Sequence, residues 1–145
     1  MDWKREAKDK LRNYSARRTA LENIPEEIRR LEARATGIRS ASADGTPVRG
    51  GGNGREDMLL SNIAERDELH LQLKNTQKWV ENVDRAMTTL TAEERLVLER
   101  LYIYPAMGNV DRLCGELGIE KSAVYERRDK ALRRFTLAYY GAVES

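Results

Sequence analysis

The chain holds one cysteine, one histidine, two tryptophans and one phenylalanine among its 145 residues. A lone cysteine cannot close an internal disulfide, a lone histidine cannot build a His-rich metal site, and no residue pair has zinc-finger spacing. No catalytic constellation, metal site or cofactor is therefore expected. No apolar run approaches about 18 residues, and Met1 is not followed by a charged-then-apolar leader, so neither membrane spanning nor secretion has support. The expected setting is reducing and cytoplasmic. Aromatics make up 6% of a 16.6 kDa chain and charged residues 34%, which leaves little material for a large core and suits elongated helices better than a compact enzyme.

The glycine-rich stretch "TPVRGGGNGRED", residues 46–57, raises the question of a phosphate cradle. A Walker-type loop needs Lys-Ser or Lys-Thr directly after its last glycine, whereas Arg55-Glu56 follows Gly54. The dinucleotide fingerprint needs a third glycine where Asp57 stands, and a strand before it. Residues 37–54, with six glycines and Pro47, are instead read as a flexible loop. Glu56 and Asp57 then favour the first turn of the helix that follows. Arg49 and Arg55 are minor candidates for DNA-backbone contact.

Around that loop the apolar residues are periodic. Ala7, Tyr14, Leu21, Ile28 and Ala35 recur at one heptad position, with Ile24, Leu31 and Ile38 at the other, which predicts a helix with a seam. Pro25 removes the amide that would bond the Leu21 carbonyl, so a kink or a restart capped by Asn23 is expected there. From about Glu56 to Leu90, the positions Leu69, Leu73, Thr76, Val80, Val83, Met87 and Leu90 alternate four and three apart, with Leu59 and Ile63 upstream. Two such helices can bury their stripes in an antiparallel hairpin, and the same stripes can serve a second copy of the chain. His70 has no second histidine beside it, so no relay or metal role is read for it. Trp3 and Trp79 are read as packing residues.

A third part begins at Thr91, where Thr91-Ala92-Glu93-Glu94 has the capping-box spacing. Leu96, Val97, Leu98, Leu101 and Ile103 bury one side of this helix before Tyr104-Pro105-Ala106-Met107-Gly108 ends it. Asn109 is expected to cap a short helix, Val110 to Leu117. Gly118-Ile119 then turns into a longer helix from about Lys121 to Tyr140, stopped by Gly141. Leu113, Cys114 and Leu117 before the turn, Ile119 as plug and Val124 as anchor give helix-turn-helix spacing. Cys114 is read as a small buried residue.

Charge is uneven along the chain. Residues 1–55 carry 13 Lys/Arg against 8 Asp/Glu, residues 56–90 carry 4 against 7, and residues 91–145 carry 9 against 9. Within the last part, Lys121 to Arg134 gathers six bases against Glu126 and Asp129, the local excess that nucleic-acid binding needs. The basic start, Lys4 to Arg18, is read as one side of an amphipathic helix.

"LTAEERLVLERLYI", "VDRLCGELGIEKSAVYERRDKALRRF" and the "KAL" run at Lys130 to Leu132 resemble the C-terminal promoter-binding domain of sigma factors, over roughly residues 90–136. The whole layout, with an N-terminal helix, a glycine loop, a long second helix and this domain, is similar to small phage-encoded regulators of the ArpU and RinA kind. Nothing resembles the sigma region that melts the promoter, and "YIYPAMGN" is longer than the usual turn between the first two helices. The resemblance implies a late-operon regulator acting in a host bacterial cytoplasm. The expected fold is all-α: a two-helix antiparallel hairpin or coiled coil over residues 1–90, then a sigma-like helix-turn-helix bundle over residues 91–145.

A recognition helix presents the side chains of its N-terminal part to base edges. On a helical wheel Ser122, Tyr125, Glu126, Asp129 and Arg133 share one face, opposite Val124, Ala131 and Phe135. Lys121 can donate to guanine, Glu126 can accept from cytosine, Ser122 can do either, and Tyr125 offers a hydroxyl or a ring to a thymine methyl. Matching the sigma-like motif puts the base-reading positions on Lys121, Ser122, Tyr125 and Glu126. Arg127, Arg128, Lys130, Arg133 and Arg134 are the expected phosphate ligands. Three functions fit: a sequence-specific double-stranded DNA-binding transcription regulator, dimeric through its N-terminal helices and able to touch host RNA polymerase; a phage small terminase subunit; and a coiled-coil adaptor.

Overall fold

The computed structural model describes residues 2–43 and 52–141. Over them the fold is all-α. α1 spans Trp3–Ala43, α2 Gly52–Thr88 and α3 Ala92–Leu98, which passes directly into a π-helical turn, Glu99–Ile103; α4 spans Asn109–Leu117 and α5 Lys121–Tyr140. Among the described residues no helix is long and apolar enough to cross a membrane.

α1 starts where Asp2 accepts the Arg5 amide at 3.2 Å, a side-chain cap for an otherwise orphan donor. The helix then continues through Pro25 and on to Ala43. The restart at Asn23 does not occur. A proline inside a helix costs about 3 kcal/mol or more; burial of Ile28, Leu31 and Ala35 just beyond it offsets that cost, as tertiary packing routinely overrides local propensity. The loop read over residues 37–54 is also shorter than expected. Residues 37–43 extend α1 and residues 52–54 open α2, because Ile38 continues the seam and stays half-buried. Residues 44–51, with Arg49, lie outside the described residues. Glu56 and Asp57 consequently sit beyond the first turn of α2 rather than in it.

The contacts divide the chain into two units, Thr19–Gln77 and Met1–Arg18 with Lys78–Ser145. The divisions fall inside α1 and α2, and the first turns of α1 and the last turns of α2 share a core with the residues that follow Leu90.

In the Thr19–Gln77 unit two helical segments run antiparallel, Ile38 and Met58 lining one groove and Glu27 and Leu69 another, with Leu31 in both. Asn62, absent from the predicted seam, is buried between them. Its carboxamide donates to the Leu31 carbonyl at 2.8 Å and accepts from Arg66 Nε at 2.8 Å, so this buried polar group is satisfied on both sides. Met58, Leu60, Ile63 and Leu71 remain exposed.

In the other unit, Ala7, Leu11, Val83, Ala86, Met87, Leu90, Leu98, Tyr102, Ile103, Ala131, Leu132 and Phe135 form one core, with Trp3 and Trp79 packed against it. Tyr14 donates to Asp84 Oδ1 at 2.5 Å. Burial, and then the bond to this carboxylate, push the Tyr14 phenol up to about 12. α2 ends where the Thr88 and Thr89 hydroxyls bond carbonyls of its last turn. The capping box then closes: Glu94 N–H donates to Thr91 Oγ1 and Thr91 N–H to Glu94 Oε1, both at 3.1 Å.

Candidate nucleic-acid interface

α5 carries the residues from Lys121 to Arg134 that the sequence leads one to expect at DNA, and α3 and α4 pack against it. The π-turn comes from the Tyr104 N–H, which bonds the Glu99 carbonyl five residues back at 2.8 Å. Its wider turn lets adjacent residues serve two cores. Tyr102 and Ile103 enter the first cluster, while Leu101 reaches both that cluster and a second one built on Val97, Leu113 and Val124.

This second cluster fixes α4 against α5. Leu117, Ile119 and Cys114 pack on it; Cys114, read from the sequence as a small buried residue, is only half-buried. Gly118 makes the turn at φ 64°, ψ 37°, a left-handed conformation that most side chains resist. Ile119 N–H closes back on the Cys114 carbonyl at 3.2 Å. α5 then starts at Lys121 and ends at Tyr140, the bounds read from the sequence, with Gly141 capping at φ 82°. Asn109 does not cap α4. Gly108 takes the N-cap position at φ 76°, and Asn109, buried, turns its carboxamide to the Arg100 carbonyl at the preceding turn.

The faces of α5 divide as the wheel predicts. Val124, Ala131, Leu132 and Phe135 are fully buried, while Lys121, Ser122, Glu126, Lys130 and Arg133 are exposed. Tyr125, 36% exposed, lies at the margin of that face. Asp129 is half-buried.

The basic residues of α5 fall into two groups. Arg127 is ion-paired with Glu93, and Arg134 Nη1 lies 3.2 Å from Glu94 Oε1, so both brace α5 against the first turn of α3. Arg128 lies 3.0 Å from Asp129 Oδ1, with its guanidinium 4.9 Å from the Tyr125 ring centroid. Burial raises the pKa of the nearby Tyr102 phenol, and the charge of Arg128 works against that rise. Among the described residues Lys121, Lys130 and Arg133 make no ion pair. Of the five cations assigned to phosphate, three thus have partners within their own chain. The spacing held a signal for one of them: Arg128 follows Val124 by four residues and precedes Phe135 by seven, a place on the core stripe.

The segment before α4, read from the sequence as a helix end and a long turn, has a further property. Tyr104 is 62% exposed and Met107 97%, so "YPAMG" ends a helix and presents large apolar side chains to solvent. Lys121 borders a shallow groove next to this segment, with Pro105, Asn109 and Asp111 on its walls. Among the described residues no group of three His, Cys, Asp or Glu side chains could hold a metal ion. His70 is exposed on α2.

Comparison of the chain with models of protein families, with curated proteins and with solved structures gives no match.

Proposed function

We propose that this protein is a sequence-specific double-stranded DNA-binding transcription regulator that uses α4, the Gly118 turn and α5 as a helix-turn-helix. The observation that carries the reading is the division of α5. Val124, Ala131 and Phe135 lock one side into the core, Ser122 and Glu126 are left exposed at the opposite side of its first two turns, and Lys121 is exposed at the entry with Tyr125 at the margin. A helix so held can lie in a major groove with its N-terminal side chains at base edges. Lys121, Ser122, Tyr125 and Glu126 read bases; Lys130 and Arg133, exposed and in no ion pair among the described residues, are the first phosphate ligands. Arg127 and Arg134 reach phosphate only by sharing or leaving their bonds to α3. The resemblance to sigma-like phage regulators gives the biological setting: control of a late operon in a bacterial cytoplasm, with host RNA polymerase as a further partner. No catalytic residue or cofactor is part of this reading.

A second reading, a DNA-packaging small terminase subunit, is favoured by Leu60, Ile63 and Leu71, exposed along one side of α2, since exposed apolar side chains on one face suit assembly of several copies. The regulator uses the same surface for a dimer. Solution mass separates them, a dimer supporting regulation and a ring of eight or more subunits supporting packaging.

Selection of bound duplexes from a random pool tests the main reading, and it should yield one enriched site. On that site Lys121→Ala with Glu126→Ala abolishes sequence preference and leaves weak, salt-sensitive binding, since each base contact contributes about 1–3 kcal/mol of discrimination. A double variant that still selects the same site would show that α5 is not the reader.

A further inference from the structure

Arg128 stands apart from the other cations of α5. It lies on the core stripe between Val124 and Phe135, and its side chain is 26% exposed, less than Arg127 at 38% or Arg134 at 47%. Both Nε and Nη2 lie 3.0 Å from Asp129 Oδ1. Tyr125 covers the guanidinium, its ring centroid 4.9 Å away. Two donors are thus committed to one carboxylate oxygen, and the flat cation supports an aromatic ring, an arrangement that suits arginine and not lysine.

We infer that Arg128 is a positioning residue for base reading: anchored on Asp129, its guanidinium holds the Tyr125 ring in one orientation at the exposed face of α5, and it does not itself bind phosphate. The inference rests on the DNA-binding reading above and corrects one of its assigned ligands. A free tyrosine side chain samples several rotamers, and choosing one on binding costs entropy; a ring already held does not incur that cost. Held in place, the ring face meets a thymine methyl in a fixed register. Loosened, it still touches DNA but discriminates less.

The test uses the full chain and a duplex carrying the best site from the random-pool selection, beside duplexes changed at the base pair whose preference Tyr125→Ala relaxes. Arg128→Lys and Arg128→Ala are expected to lower discrimination at that base pair about tenfold, the size of a single base contact. The slope of log affinity against log salt stays at the wild-type value, whereas Arg133→Ala lowers it by about one and keeps discrimination. Adding Arg128→Ala to Tyr125→Ala costs no further discrimination, because Arg128 acts through the ring. A slope lowered by about one with discrimination kept makes Arg128 a phosphate ligand and overturns the assignment. Losses that multiply in the double variant, or single variants with no effect on either quantity, also overturn it. Far-UV circular dichroism checks that each variant is folded, and Arg128→Lys keeps the charge should Arg128→Ala unfold. A readout without DNA separates this inference from the functional one: the Tyr125 ring resonances shift in Arg128→Lys if the stack exists, and unmoved resonances refute it. Failure of the wild-type chain to select any sequence instead refutes the DNA-binding reading.

Discussion

Replacing Glu94 with alanine removes two interactions from one buried carboxylate. Glu94 is 7% exposed, accepts the Thr91 amide at 3.1 Å and faces Arg134 at 3.2 Å. Loss of the reciprocal cap costs about 1 kcal/mol. Loss of the pair with Arg134, whose side chain is half-exposed, adds about 1 kcal/mol, between the values for surface and buried pairs. Glu94 Oε2 is buried without a hydrogen-bond partner, so deletion also relieves a small penalty, and the net expectation is a loss of about 2 kcal/mol. Arg134→Met alone costs about 1 kcal/mol, since it leaves the carboxylate buried with only the cap to satisfy it. Arg134 contributes to stability through Glu94, so the double variant loses about 2 kcal/mol and not about 3. Urea unfolding followed by tryptophan fluorescence measures this directly, because Trp3 and Trp79 both lie in the same unit as Glu94. Strictly additive losses, or a Glu94→Ala loss below about 0.5 kcal/mol, refute the argument that α3 and α5 are coupled through this carboxylate.

Tyr14 makes the same unit sensitive to alkali. Its folded pKa, about 12, stands above the ordinary 10.0, so the stability it contributes is complete below about pH 10 and is lost as pH rises through about 12. Tyr14→Phe should cost about 1 kcal/mol at pH 8 and remove part of that alkaline loss, as read from urea midpoints at pH 8 to 11. Two glycines of neighbouring sequence should respond with opposite sign. Gly118→Ala should cost about 1–2 kcal/mol from its left-handed backbone, because a Cβ there meets nothing within 4 Å and only the backbone objects. Gly115→Ala, equally open but inside α4, should stabilise by up to about 1 kcal/mol, both changes being read from urea midpoints.

Local patterns made much of this fold readable in advance. The bounds of α5, the box at Thr91 and Glu94, the turn at Gly118 and the buried stripe of Val124, Ala131 and Phe135 are all written in spacings of three, four or seven residues. What escaped depends on how elements dock. Nothing in the run Glu93-Glu94 says that it meets Arg127 and Arg134, some 34 to 40 residues later, and nothing near Tyr14 points to Asp84. A basic cluster read as a string of charges does not reveal which members already have partners. The extension of α1 through Pro25 and beyond Gly37 escaped for a related reason: composition argues against helix locally, and the outcome turns on what Ile28, Leu31 and Ile38 bury against. Asn109 has the chemistry of a cap and is used elsewhere because a carbonyl at Arg100 lies within its reach.

The core that joins Ala7 and Leu11 with Leu98 and Phe135 also sets an order of events on the ribosome. The first two turns of α1 are synthesised before their burial partners, which follow about 70 to 130 residues later, at roughly 5–20 residues per second. For those seconds the apolar side of these turns has no native surface to cover it, whereas Leu31 needs only Asn62 and its neighbours to be synthesised. The Thr19–Gln77 unit can therefore form while the chain is still being made, and the unit carrying α5 closes later, once Leu98 and Phe135 are present together with Ala7 and Leu11.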